Sequence, residues 1–303
     1  MKRTDGLLLA GLALMWGSSF LLIRVAVPGF GPAALVALRV LLGAGLLFVY
    51  ARAVRQPLAL KQHARQFVVL GLLNAALPYM LISAAELHLT ASFAAVLNAT
   101  TPLFAAVFAS FWLSERMTMR RVLGLMAGMM GVGLLVGWSP VPMSPVTLIS
   151  VLAMLVASAS YAAAGIYAKS SMNGVSVHSL AFGQQLGALV WLTIPGIVWA
   201  PATTPPTMAV WAVIALGLLS TGVAYLLYFR LLERVGPTRT STITYLMPVV
   251  GVMWGVLLLD EPVNAGMFAG LGVVLASMVL VNDIRIRVPA LRAADATCAA
   301  EGQ

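Results

Sequence analysis

Pro102 and Pro248 lie near the middle of long apolar segments, and each has a polar residue four positions before it. Pro102 follows Asn98 at this spacing, and Pro248 follows Thr244. A proline within a helix removes the hydrogen bond to the carbonyl four residues earlier and bends the helix axis. The carbonyls of Asn98 and Thr244 would then be free to face a cavity or a ligand. The pattern predicts two hinges with polar walls, and the alternative is two static kinks that neighbouring helices satisfy.

The apolar segments also contain aromatic residues with a polar group, among them Trp16, Tyr79, Tyr161 and Tyr225. A buried Tyr hydroxyl or Trp N–H needs a hydrogen-bond partner or water, so these side chains suit the wall of a cavity. Together they could enclose a mostly apolar solute. The alternative is a place in an interfacial belt or in ordinary helix packing, where aromatic residues of membrane helices are commonly found.

Arg39 is a charge well inside an apolar segment. A cation at the centre of a membrane helix costs at least ~2.5–3.5 kcal/mol, so it is a functional candidate by default. A guanidinium group matches a carboxylate in geometry and charge, which predicts binding of a substrate carboxylate. Gln185 is the residue related to Arg39 by the repeat described below, and it is a second candidate for substrate binding. The alternatives for Arg39 are a tie to backbone carbonyls or snorkelling along the helix.

Residues for catalysis or metal binding are sparse. The three histidines are scattered, the single cysteine is Cys298 near the C-terminus, and no Asp or Glu lies near the middle of an apolar segment. We therefore predict no catalytic residues, no metal site and no cofactor. Glu86 and His88, at the end of one segment, could form a proton relay because His titrates near neutral pH. The lack of a central carboxylate nevertheless favours uniport or exchange over ion coupling.

The composition requires that these residues be carried by membrane helices. Of 303 residues, 61% are apolar and only 9% are charged, whereas a soluble domain carries about 25% charged residues. The apolar runs reach the roughly 20 residues of a membrane helix and lack the alternation of a strand. The fold class is therefore an all-α membrane protein with ten transmembrane helices, at residues 6–27, 31–51, 66–86, 89–112, 119–137, 146–168, 178–199, 207–230, 238–259 and 264–283.

The basic residues predict the orientation of these helices. Sixteen of the 18 Lys and Arg residues fall at the two termini and in the even-numbered connections, and the odd-numbered connections contain none. Basic residues near membrane ends collect on the cytoplasmic side. Both termini are therefore expected in the cytoplasm. The net charge of +9 is explained by topology, and because no soluble face carries a basic patch, nucleic acid is not expected as a partner.

The sequence also contains an internal repeat at an offset of 146 residues. The matches include residues 70–73 with 216–219, Tyr79 with Tyr225, Pro102 with Pro248, and Glu115 with Glu261. Each half would have five spans, so the second half enters the membrane from the opposite side. We expect one repeat at 1–138, a second, inverted repeat at 145–285, and a disordered cytoplasmic tail at 286–303. Inverted repeats are typical of secondary transporters, which bind substrate near the midplane and expose it to each side alternately.

These features resemble the drug/metabolite transporter superfamily, in particular its EamA-type branch. The resemblance rests on the five-plus-five arrangement, on Trp16-Gly17-Ser18-Ser19-Phe20, and on the proline-to-glutamate spacing repeated at 102/115 and 248/261. It covers about residues 1–285. Within the branch the chain is most similar to the YddG-type amino-acid exporters. The resemblance implies export of small metabolites from the cytoplasm across a bacterial inner membrane.

The sequence thus predicts a multi-pass exporter of small metabolites, chiefly aromatic, hydrophobic and other amino acids, that works by alternating access. The expected partners are the substrate and membrane lipid, and the expected oligomeric state is a monomer or a weak homodimer. Three alternatives stay open: a broad-specificity proton-coupled drug or metabolite exporter, a channel, and an intramembrane enzyme. The enzyme is disfavoured because no nucleophile with a base, acid pair or metal cluster lies at depth.

Overall fold

The computed structural model describes residues 3–281, apart from 56–57, 59, 139–141 and 143. The predicted tail at 286–303 and the last residues of the predicted second half lie outside the described part, as does Cys298. Every regular element within the described part is helical. This confirms the all-helical class that the long, non-alternating apolar runs predict.

The helices are numbered in chain order, and two π-helical stretches are named separately. The helices are α1 (Arg3–Ala53), α2 (Ala64–Gly71), α3 (Leu77–Ala85), α4 (Ala91–Asn98), α5 (Thr101–Trp112), α6 (Met119–Gly137), α7 (Pro145–Ser171), α8 (Val177–Val198), α9 (Thr207–Ala215), α10 (Ala224–Val235), α11 (Pro237–Thr240), α12 (Ile243–Leu259) and α13 (Ala265–Val281). The first π segment is Leu72–Ala76, between α2 and α3, and the second is Leu216–Val223, between α9 and α10.

Long apolar helices make up most of the described chain. Seven helical runs are long and apolar enough to cross a membrane, at residues 4–53, 64–85, 91–112, 119–137, 145–171, 177–198 and 207–235. Two shorter apolar helices, α12 and α13, follow them. This architecture is that of a multi-pass membrane protein.

The first two predicted spans are joined in the structure as α1. They meet at Gly31, whose φ of 67° and ψ of 163° lie in a region that glycine adopts readily and other residues avoid. The predicted connection between these spans, at residues 28–30, is therefore reduced to a kink at Gly31. Pro28 and Pro32 both lie within the helical stretches on either side of it.

The predicted fourth and ninth spans are each interrupted. Between α4 and α5, the amides of Ala99 and Thr100 bond three residues back, to Val96 and Leu97. Pro102 falls in the first turn of α5, where a missing N–H costs no helical hydrogen bond. Pro248 by contrast lies inside α12, so its ring does remove a hydrogen bond to the Thr244 carbonyl. The two repeat-related prolines thus occupy different positions within their helices.

The core lies around α1 and α4. The first seven residues of α4, Ala91 to Leu97, are all buried, and α4 packs against α12, α7 and α1. α1 also packs against α8, α9 and the second π segment. In contrast, α6 exposes large apolar side chains such as Met126 and Met129 along its surface, as expected of a helix that faces lipid.

Candidate substrate cavity

A cavity of about 510 Å³ lies between the helices of the core. Its walls come from α1, the first π segment, α3, α4, α5, α7, α10 and the start of α12. Nine of the ten residues predicted for the site line it: Trp16, Arg39, Tyr79, Asn98, Pro102, Tyr161, Tyr225, Thr244 and Pro248. Between them lie apolar side chains such as Phe20, Ile23, Ile82 and Met247. The arrangement suits a small, partly apolar solute.

Arg39 is the cationic group of this wall, and it is 4% exposed. Its Nε donates to the Thr221 hydroxyl at 3.0 Å, and the Thr221 hydroxyl donates to the Leu216 carbonyl, also at 3.0 Å. The guanidinium carbon lies 3.9 Å from the centre of the Tyr79 ring, within cation–π distance. Among the described residues, no carboxylate lies within ion-pair distance of Arg39.

The close approach that allows the contact between Arg39 and Thr221 depends on glycine. A Cβ at Gly43 would lie 2.5 Å from Thr221 Cγ2, and a Cβ at Gly217 would lie 2.5 Å from Leu42 Cβ. The second stretch of α1 therefore packs directly on the second π segment, one turn from Arg39. That segment is π-helical, and single π-helical stretches inside α-helices are frequent at functional sites.

The four predicted aromatic residues form two pairs in the cavity wall. Trp16 packs edge-on against Tyr225 with ring centres 6.0 Å apart, and Tyr79 packs edge-on against Tyr161 at 6.4 Å. The indole N–H of Trp16 donates to the Ser220 carbonyl at 3.1 Å. Edge-to-face pairing at these distances is favourable beyond the buried area.

Among the wall residues that sequence reasoning missed, Asn74 and Tyr228 contact predicted site residues. Asn74, on the first π segment, donates through Nδ2 to Gln184 Oε1 at 2.7 Å and to the Tyr225 hydroxyl at 3.3 Å. Tyr228 lies 5.4 Å from Trp16 between ring centres and also lines the cavity. Both left a signal in the sequence, since Asn74 is an amide within an apolar run and Tyr228 follows Tyr225 by one helical turn.

Gln185 does not reach the cavity lining. It is fully buried on α8, and neither side-chain polar atom has a hydrogen-bond partner among the described residues. Its neighbour Gln184 is the one that connects to the cavity, through Asn74. A rotation of about 100° per residue along a helix separates the directions of these two amides. A role of Gln185 in binding stays a prediction.

The two ends of the cavity differ. At one end, called here the Glu115 end, Glu115 pairs with Arg121 at 3.2 Å and with Lys169 at 3.5 Å. The lining extends toward this end through Gly165 near the end of α7 and Ser241 at the start of α12. The cavity therefore approaches the connections that carry most of the basic residues.

The opposite end, called the Glu261 end, comprises residues 86–91 and 260–264. Here the lining stops at Ile82 and Ala95, four residues short of Glu86 and Ala91 respectively. Glu86 is fully buried and neither carboxyl oxygen has a hydrogen-bond partner among the described residues, while Arg24 donates to its backbone carbonyl. His88 is exposed, and within the described part no hydrogen bond joins it to Glu86.

The chain is similar to proteins that are named as transporters. The EamA-like transporter family matches the chain twice, at residues 5–137 and 148–283. The uncharacterized transporter YvbV of Bacillus subtilis is 29% identical over 93% of this chain and 92% of its own. The uncharacterized transporter YoaV of the same organism is 27% identical over 85% of this chain and 89% of its own.

Two further comparisons concern location and fold. The uncharacterized inner membrane transporter YedA of Escherichia coli is 25% identical over 93% of this chain and 92% of its own. A solved crystal structure superposes on 95% of this chain and 100% of that one, with a TM-score of 0.67 and 17% identity, which shows a shared fold. Since the family matches extend over most of the chain and its helices are long and apolar, the chain belongs to the EamA-like transporter family and is a multi-pass transporter of the inner membrane.

Proposed function

We propose that the protein is a carrier that exports small, largely apolar metabolites bearing a carboxylate, amino acids above all, by alternating access around the cavity. The observation that carries this proposal is the state of Arg39. It is a buried cation in the cavity wall, held by Thr221 and Tyr79, without a carboxylate partner among the described residues. A solute carboxylate would supply the missing partner.

The chemistry around Arg39 favours an anionic group on the solute. The Nε bond to Thr221 fixes the plane of the guanidinium and leaves the two terminal nitrogens without an acceptor among the described residues. These nitrogens can bind a carboxylate in a bidentate manner. Charged hydrogen bonds are strengthened where the wall excludes water, so binding would offset the cost of the buried cation.

The rest of the wall favours an apolar or aromatic body on the solute. Trp16, Tyr79, Tyr161 and Tyr225 present ring faces and edges, and apolar side chains fill the space between them. A volume of about 510 Å³ lies in the range of small-molecule sites, roughly 300–1,000 Å³. These features support aromatic and hydrophobic amino acids, the substrates that the resemblance to YddG-type exporters implies.

We further propose ten spans in two inverted halves. Three observations support the repeat. The family model matches the chain twice, both π segments overlap when the halves are offset by 146 residues, and the turns at the two glutamates are alike. The Glu115 amide donates to the Ala109 carbonyl at 3.3 Å after a residue with φ of 53°, and the Glu261 amide donates to the Gly255 carbonyl at 3.1 Å after a residue with φ of 49°.

This arrangement supports outward movement of substrate. The distribution of basic residues favours a cytoplasmic location for the Glu115 end, and the cavity lining extends toward that end. A solute would enter from the cytoplasm, and a rearrangement of the two halves would then open the Glu261 end. The break at 99–100 before Pro102 and the proline bend at Pro248 are the proposed hinges. Since no Asp or Glu is among the described lining residues, uniport or exchange is the proposed mode.

Counterflow in proteoliposomes tests the function. Purified protein is reconstituted in vesicles loaded with unlabelled phenylalanine, and uptake of labelled phenylalanine is followed with and without a pH gradient. We expect transient accumulation that saturates and does not depend on the gradient. Dependence on the gradient would favour the proton-coupled exporter, and a conductance independent of solute would favour a channel. Absence of counterflow across the twenty amino acids would refute the proposed substrate class.

A further inference from the structure

The Glu261 carboxylate holds the beginning of α4. Its Oε1 accepts from the Ala91 amide at 2.6 Å, and its Oε2 accepts from the Ser92 amide at 2.9 Å and from the Ser92 hydroxyl at 2.6 Å. The side chain is buried, with the residue 8% exposed. Thr90 completes the cap by accepting from the Phe93 amide at 3.2 Å. The first three amides of α4 are therefore satisfied, two of them by a residue far away in the chain.

This contact is electrostatically favourable and sterically close. A carboxylate at a helix N-terminus interacts with the positive end of the helix dipole, and bonds to a charged acceptor are the stronger ones. The approach requires glycine in α12, because a Cβ at Gly255 would overlap both Ser92 Oγ and Glu261 Oε2. The contact thus joins α4 to the end of α12 and to the turn that follows it.

The joined element is also a wall of the cavity. Ala95, Asn98 and Ala99 line the cavity from α4 and the residue after it. The α-helical bonding then breaks at residues 99–100. α4 is therefore a short helix fastened at its N-terminus by Glu261 and separated from α5 by a break. α4 thus lies between the cavity and the Glu261 end, as does α3, whose Ile82 also lines the cavity.

The repeat-related Glu115 makes no such contact. It follows the same type of turn, but its carboxylate pairs with Arg121 and Lys169 and its side chain is 36% exposed. Ala109 stands where the second half has Gly255. The two halves therefore share a backbone turn and differ in what the glutamate holds.

From this asymmetry we infer that Glu261 is a latch, which closes the cavity at the Glu261 end by fastening α4 to α12. Release of the carboxylate from Ala91 and Ser92 frees α4 to swing about the break at 99–100. The consequence for export rests on the proposed function, because an opening at this end would release the solute. The latch itself is a property of the closed conformation and can be measured without substrate.

Distance measurements between spin labels test the latch on the full-length, reconstituted protein. Cys298→Ser removes the single cysteine, and His88→Cys and Ala265→Cys then carry labels at exposed positions on the two sides of the contact. In the otherwise unchanged chain we expect one dominant short distance by double electron–electron resonance. Glu261→Gln should raise the ratio of long to short distances by about tenfold, equivalent to about 1.4 kcal/mol.

Glu115→Gln is the matched control and should leave the distance distribution unchanged. Ser92→Ala removes one of the three bonds and should shift the distribution less, in the same direction, which provides a test if Glu261→Gln fails to fold. An unshifted distribution in both Glu261→Gln and Ser92→Ala, or an equal shift in Glu115→Gln, overturns the latch. Counterflow on the same preparations separates the two proposals: intact counterflow with unshifted distances refutes the latch alone, and a shift without any wild-type counterflow refutes the proposed function alone.

Discussion

At the scale of single residues, Arg39 shows how a buried charge can be retained without an ion pair. One nitrogen bonds to Thr221 and the flat face of the guanidinium covers the Tyr79 ring at 3.9 Å. These contacts replace part of the hydration that a cation loses on burial. They leave the terminal nitrogens for a solute, which is why the charge is a recognition element in the proposed mechanism and not a structural tie.

Arg39→Ala should raise the apparent KM for solutes with a carboxylate by about tenfold or more, because a charge-assisted hydrogen bond contributes roughly 1.5–3 kcal/mol. Transport assays in proteoliposomes measure the change. Arg24→Ala is the control, since Arg24 bonds to the Glu86 carbonyl and is not among the residues lining the cavity. An equal loss for solutes that lack a carboxylate would assign Arg39 to structure.

Asn74 offers a second test at this scale. Asn74→Ala leaves Gln184 Oε1, in a residue 4% exposed, without its partner, and an unsatisfied buried acceptor costs about 1–3 kcal/mol. We expect a lower Tm for the variant in detergent. Adding Gln184→Leu removes both partners and should restore much of the loss. A double variant that is as unstable as the sum of the single variants would contradict this pairing.

At the scale of elements, the two π segments and the small residues that face them bring the site together. The second stretch of α1 lies so close to the second π segment that side chains other than hydrogen are excluded at Gly43 and Gly217. The contact that orients Arg39 depends on this packing. The π-helical geometry at Leu216–Val223 is therefore coupled to the orientation of Arg39 on α1.

Gly43→Ala should lower stability by about 1–3 kcal/mol, because a methyl group would be forced against Thr221. It should also weaken substrate binding by displacing the partner of Arg39. Gly45→Ala, two residues further on the same helix, meets nothing within 4 Å and should be neutral or slightly stabilising. Thermal unfolding of both variants measures the difference, and equal Tm values would exclude the close approach.

Pro102→Ala and Pro248→Ala test the hinges. We expect both to slow turnover, and Pro248→Ala to do so more, since Pro248 lies inside α12 and alanine there restores a helical hydrogen bond. Pro102 begins α5, where alanine changes less. Counterflow rates normalised to folded protein measure the effect. Unchanged rates in both variants would reject the hinge role.

At the scale of the whole molecule, one chain contains two similar halves that are used differently. The turns at residues 109–115 and 255–261 match closely in backbone conformation. Only the second glutamate, however, accepts hydrogen bonds from the N-terminal amides of another helix, whereas the first pairs with basic side chains. An alternating-access carrier requires such an inequality, because a conformation that is closed at one end and open at the other cannot have both halves in the same state.

The orientation of the molecule makes a separate prediction. In a Cys298→Ser chain, His88→Cys should react with a membrane-impermeant maleimide added to whole cells. Lys169→Cys should react only after the cells are opened, because Lys169 belongs to the basic side. Both positions are exposed, so access decides the labelling. The reverse pattern would invert the orientation and with it the proposed direction of transport.

Composition and the length of the apolar runs were enough to predict the membrane class, and residue types predicted nine of the residues that line the cavity. These properties depend on composition and on short stretches of sequence, so they can be predicted without knowing the contacts between distant residues. Pro102 shows what such reasoning cannot predict. The sequence indicates that it lies inside one helix, but the α-helical hydrogen bonding is interrupted at residues 99–100 and Pro102 begins a new helix.

Contacts between residues far apart in the sequence are seen only in the tertiary structure. Arg39 meets Thr221 across 182 positions, and Glu261 meets Ala91 across 170. The same is true of the choice of Gln184 over its neighbour Gln185 as the residue joined to the cavity. Which side chain meets which depends on the rotation and spacing of packed helices, where one residue turns the direction by about 100°, and that information is present only in the folded molecule.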